Sequence, residues 1–238
     1  MRKEGYSMND LILQAEEALY RKDGQTALQI TDQLLEQDEG NSKAWFIAMQ
    51  CFQFIYPIDQ YNAENELSCA RFAIRSASKE QKYQMKKQVY SFLLEKILAV
   101  LKRDAEVLAD CRDVLGFYQR TVYFDASGAA EKTRAYDEPV QNAVEKSFSY
   151  CEQLFDFIPD SAIRGSRKLN QIAEEIACQW KTTCNYLVMR LGLFHFQLTP
   201  EQMNATQMTY TRYLRAVKNK EEMLQKPLFS RDTLSNEN

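Results

Sequence analysis

The sequence predicts an all-α protein, and three observations carry that prediction. Apolar residues recur at steps of three and four through most of the 238-residue chain, the spacing that collects them on one face of a helix. Gly and Pro are scarce, seven and five, and the prolines fall between the apolar-periodic segments, which argues for long helices with short connections. Helix-start residues precede several of these segments at capping distance. With 45% apolar and 26% charged residues, the composition is that of an ordinary globular chain able to bury a sizeable core.

Ser7 with Asp10 three residues on starts the first helix, and Leu11, Ala15, Ala18 and Leu19 give its apolar face as far as Tyr20. Lys22-Asp23-Gly24 reads as a tight turn. Ala27, Ile30, Leu34 and Leu35 then line a second helix ending near Asp38. Glu39-Gly40-Asn41 breaks it, and Ser42-Lys43-Ala44-Trp45 begins a third. Leu11 and Trp45, Ala15 and Met49, and Ala18 and Phe52 are each 34 residues apart. A unit that cannot bury its own apolar face presents large and small residues to its neighbour at such fixed intervals.

These pairs, together with Ala27 and Leu34, make residues 8–56 resemble the tetratricopeptide-repeat family of helical hairpins. The resemblance implies an α-α superhelix, here of about nine helices by periodicity, with tetratricopeptide-like hairpins over 8–77 followed by long irregular helices over 78–225. Together they are expected to form a single domain, 1–225, in which residues 78–225 either continue the superhelix or fold back as a sub-bundle. Tyr56-Pro57-Ile58-Asp59 departs from the family pattern, because Pro57 interrupts the helix where a short turn belongs. The next helix, Ala63 to Ala77, can be registered with either Ala63 or Ala70 at the small position of the repeat.

Ser78 with Gln81 starts a long helix whose broad stripe, Val89 to Leu101, implies packing on more than one side. Asp104 is read as the cap of a separate helix that ends before Asp125-Ala126-Ser127-Gly128, and residues 129–138 as a loop. Val140, Val144, Phe148, Cys151, Phe155 and Ile158 form the next stripe, between Pro139 and Pro159. Asp160 and Ser161 start the longest candidate helix, with Ile172, Ile176, Trp180, Cys184, Leu187, Leu191 and Phe194 as its stripe. Thr199-Pro200-Glu201-Gln202 starts the last. The polar, aperiodic residues 226–238 read as a disordered tail.

The net charge is −3 and no long basic run occurs, so nucleic acid is not an expected partner. The longest apolar run, Tyr186 to Leu198, contains Arg190 and His195 and is too short to span a bilayer; no secretory signal is read at the start. A cytoplasmic protein with reduced cysteines is the expectation, since the six Cys form no CxxC pair. No glycine-rich phosphate loop, nucleophile elbow or metal-ligand spacing occurs, so no catalytic residue, metal or cofactor is assigned. The adjacent acidic pairs Glu16-Glu17 and Glu174-Glu175 point about 100° apart on a helix and read as solvated faces.

The tetratricopeptide resemblance implies a protein or peptide partner held on the concave face, by Ile12, Glu16 and Tyr20, then Lys43, Phe46, Gln50 and Phe54. Ile12, Glu16 and Ile47 stand where the family's carboxylate clamp places Lys and Asn, so the face suits an apolar peptide, or the chain's own later helices. Packing within the chain accounts for the same residues equally well. Arg190-Leu-Gly-Leu-Phe-His195 resembles the Arg-x4-His motif of HEPN ribonucleases, all-α bundles, which implies RNA cleavage with Arg190 and His195 acting on the phosphate. A structural His and a snorkelling Arg explain those residues too, and Leu191 stands where that family favours a polar side chain. A third reading is a ligand- or peptide-sensing regulator lacking a DNA-binding domain.

Overall fold

The computed structural model describes residues 7–56, 60–121, 146–194 and 222. Among them every regular element is helical. They are α1 (Met8–Tyr20), α2 (Gly24–Gln37), α3 (Ser42–Ile55), α4 (Ala63–Ser76), α5 (Lys82–Thr121), α6 (146–156), α7 (Asp160–Arg164) and α8 (Arg167–Phe194). The chain divides into two compact units, Met1–Leu93 with Ser149–Phe157, and Leu94–Phe148 with Ile158–Asn238.

In the first unit the predicted cap at Ser7 forms, whereas Ser78 and Gln81 lie in a turn before α5, which starts at Lys82. The Ser7 hydroxyl accepts from the Asp10 amide at 3.2 Å while the Asp10 carboxylate accepts from the Ser7 amide at 3.2 Å, so two otherwise orphaned N–H groups are satisfied reciprocally. Lys22 takes the left-handed conformation, φ 61°, that the turn requires. Asp23 closes that turn, its amide donating to the Ala18 carbonyl at 2.9 Å, and is also the N-cap of α2, accepting from the Thr26 amide at 3.1 Å, while Gly24 is already helical. Asn41 and Asn62 cap α3 and α4 in the same manner.

Small residues at the helix crossings let backbones approach. Ala15, Ala18, Ala27, Ile47 and Cys51 form one core cluster of α1, α2 and α3, and Leu11, Leu34 and Ala44 a second. Gly24 marks a close approach of α2 to α3: a Cβ there would lie 2.7 Å from the Cys51 carbonyl oxygen and 2.9 Å from the Phe54 Cβ. Successive helices pack on their neighbours, α1 on α2, α2 on α3 and α3 on α4, with α1 also touching α3. On α4 both candidates for the small position, Ala63 and Ala70, are buried.

Two sequence-derived boundaries fail. Residue Asp104 does not start a helix; α5 runs unbroken for 40 residues, and Asp104 lies buried within it. Lys102, Arg103, Ala105 and Glu106 all favour helix, and the Asp104 carboxylate is engaged by Arg103 instead of a free amide. The longest described helix is therefore α5 and not the one opening at Asp160, which stops at Arg164. Gly165 closes α7, its amide bonding back to the Ser161 carbonyl at 2.9 Å, and α8 begins afresh at Arg167. In the second unit Phe148 packs edge-on against Trp180, ring centroids 5.4 Å apart, and Lys168 of α8 pairs with Glu95 of α5 at 2.9 Å. The α8 stripe is Leu169, Ala173, Ile176, Ala177 and Trp180, with the predicted Ile172 only half-buried. Val140, Val144, Pro57, the helix starting at Thr199 and the tail 226–238 lie outside the described residues.

Candidate functional surfaces

The seven residues predicted for the concave face all lie on α1 and α3, and the structure divides them by role. Glu16 and Lys43 come together as an ion pair at 2.8 Å, tying α1 to α3. Ile12 packs against both core clusters. Phe46 meets Phe92 of α5 edge-on at 6.3 Å, so this part of the face is covered by the chain's own helix. Gln50 is half-buried. Tyr20 is 89% exposed and Phe54 37% exposed. Leu13, which the sequence reading passed over, is 62% exposed and stands seven residues before Tyr20, on the same side of α1. Met8 and Tyr56 add to the exposed apolar residues of α1 and the end of α3, and Tyr83 and Val107 of α5 complete the set among the described residues.

A second surface was not anticipated. An open groove of about 630 Å³ runs between α2, α3 and α4. Leu35, Trp45, Ala48, Phe52 and Cys69 supply apolar lining, and Asp32, Glu36 and Glu39 bring carboxylates. Residues 45, 48 and 52 share one side of α3, roughly opposite the side carrying 43, 46, 50 and 54, by the 3.6-residue turn. Trp45 is fixed in place: its indole N–H donates to the Glu39 carbonyl at 2.8 Å, and its ring stacks on Phe72 with centroids 4.6 Å apart. The outer partner of that stack, Phe72, carries the Arg75 guanidinium 4.7 Å from its centroid. The signal was present in the sequence, since Leu28, Asp32 and Leu35 recur at steps of four and three as a second stripe on α2, with Glu39 four residues further on, just past the helix end.

Polar groups inside the first unit are held as structure. The Tyr150 hydroxyl, buried and with its pKa pushed up by burial and then by the Glu66 charge, donates between the two Glu66 carboxylate oxygens at 2.8 and 2.9 Å. Burial pushes the Cys51 thiol up to about 12 and the Cys69 thiol to about 11, so both remain protonated and poor nucleophiles at neutral pH. Cys151 is likewise buried, whereas Cys178 on α8 is exposed. Among the described residues no three His, Cys, Asp or Glu side chains gather as a metal site, and no helix is long and apolar enough to cross a membrane. Arg190 lies on the backbone of α8, but its side chain and His195 fall outside the described residues.

No protein-family model, curated protein or solved structure matches this chain, so its functional reading rests on its own surfaces.

Proposed function

We propose that this chain is a non-enzymatic interaction or scaffold protein of the cytoplasm, whose tetratricopeptide-like hairpins bind a protein or an apolar peptide through the α1/α3 face. The observation that carries the reading is the placement of Leu13, Tyr20 and Phe54: large apolar side chains, exposed, on helices whose other residues pack into the shared α1–α2–α3 core. An aromatic ring left in water beside a rigid scaffold is the kind of residue that dominates binding energy at protein interfaces. The Glu16–Lys43 pair supports the same reading, since it leaves neither charge uncompensated on the face and fixes α1 against α3. Neighbour-on-neighbour packing of α1 to α4 and the small residues at their crossings support the superhelical, repeat-like arrangement.

Affinity capture from the native cytoplasm tests this, comparing the wild type with Tyr20→Ala and Phe54→Ala. Both variants are expected to lose the same partner while keeping the wild-type melting curve within a few degrees. Phe46→Ala is unsuited to the purpose, because Phe46 packs on Phe92 and its loss would disturb the fold.

A further inference from the structure

We propose that the groove between α2, α3 and α4 is a second docking surface, taking a basic amphipathic segment of a partner protein. It is separate from the α1/α3 face, since no α1 residue lines it. Its chemistry has two parts. Half-buried Trp45, Phe52 and Leu35 offer an apolar bed for one or two side chains. Beside them stand Asp32, Glu36 and Glu39, all exposed, whose carboxylates make no hydrogen bond or ion pair with another described residue.

Charge complementarity selects the occupant. Asp32 and Glu36 are four apart on one side of α2, a like-charge spacing that costs an isolated helix stability, and no cation of the described chain relieves it. An incoming segment with Lys or Arg at matching three- and four-residue spacing relieves that repulsion while its apolar side enters the groove, the helix-in-groove mode of recognition. Among the described residues the carboxylates do not gather with other ligands into a group that could hold a metal ion. An acidic segment would face uncompensated repulsion. Among the described residues Arg75 is the cation placed on the aromatic stack by contact, and it sits on Phe72, which is not among the groove-lining residues. The Trp45 ring needs no rearrangement to bind, because its N–H and the face toward Phe72 are already committed.

The test uses the full chain and a fluorescent synthetic Leu/Lys peptide patterned as an amphipathic helix, with a Leu/Glu peptide of the same pattern beside it. Anisotropy is expected to show saturable, salt-sensitive binding of the Leu/Lys peptide alone. Glu36→Lys should weaken it about tenfold or more, as expected for reversal of a charge at the contact. Glu106→Lys, the same change of net charge on an exposed residue of α5, should leave it unchanged. Trp45→Leu should also weaken binding while Glu36→Lys retains the wild-type melting temperature. Absence of Leu/Lys binding, equal binding of the Leu/Glu peptide, or equal losses in Glu36→Lys and Glu106→Lys would each overturn the proposal.

Discussion

Tyr150 donates its hydroxyl proton to the Glu66 carboxylate across 84 residues of sequence, inside the first unit, where Glu66 is 1% exposed and Tyr150 4%. The bond ties α6 to α4, and Tyr61 leans on the Tyr150 ring at 5.1 Å. Tyr150→Phe keeps the ring and removes the donor. It is expected to destabilise the chain by about 1–3 kcal/mol, the cost of leaving a buried carboxylate short of a partner. Urea denaturation followed by circular dichroism measures this, and an unchanged midpoint would show that the bond contributes nothing.

Gly24 permits α2 to touch α3. Gly24→Ala forces a Cβ against a backbone carbonyl oxygen that cannot move alone, and should cost about 1–3 kcal/mol by overpacking. Lys22→Gly nearby acts in the opposite sense. It relieves a left-handed non-glycine backbone, worth about 1–2 kcal/mol, against an unfolded-state entropy cost of about 0.4–1 kcal/mol. A small rise in melting temperature is the expected outcome, measured beside the fall for Gly24→Ala.

Alkali should weaken the fold. Cys51 and Cys69 have ordinary values of 9.0 that burial raises to about 12 and about 11, so the folded state holds protons that the unfolded state releases. Their contribution is complete below pH 9.0 and is lost as pH rises toward 11 and 12. Tyr90 and Tyr150, raised by burial from 10.0, act in the same direction. Melting temperature should fall steadily across this range, and less steeply in Cys51→Ala. At neutral pH a thiol-labelling reagent should modify Cys178 well before Cys51, Cys69 or Cys151.

The Asp104 carboxylate carries a different sign of expectation from most buried ion pairs. Burial raises its pKa more than Arg103 lowers it, and one of its oxygens has no hydrogen-bond partner. Its contribution is therefore greatest below its ordinary value of 3.8 and declines as pH rises through the folded value. Asp104→Asn should hold or raise the melting temperature at neutral pH, since Arg103 is partly exposed and can be solvated. A marked drop would show that the ionised pair is favourable.

These residues also show what could be read from sequence. The capping at Ser7 and the apolar faces of α1 and α2 were legible because caps and periodicity are local. Asp104 misled because its side chain satisfies a neighbour instead of an amide, and the surrounding residues carry the helix through. Gly165 was overlooked as a stop because apolar spacing resumes beyond it. The 34-residue pairs match buried Leu11 and Ala18 to half-buried Trp45 and Phe52, whereas the buried stripe Leu11, Ala15 and Ala18 recurs as Ala44, Ala48 and Cys51, 33 residues on. Of the predicted face, the Phe46 packing on Phe92 could not be foreseen, since it depends on where α5 lies. The groove escaped because its carboxylates read as ordinary solvated charge until Trp45 and Phe52 are placed beside them.

The central claim is that the α1/α3 face binds a protein partner, and the most direct measurement is quantitative affinity capture with wild type and a Leu13→Ser/Tyr20→Ser double variant of equal melting temperature. Both positions are exposed, so the substitutions leave the core intact. The account predicts at least one protein captured by the wild type and depleted about tenfold or more with the double variant, the loss expected when interface anchors are removed. Identical captured proteins at equal abundance would contradict it.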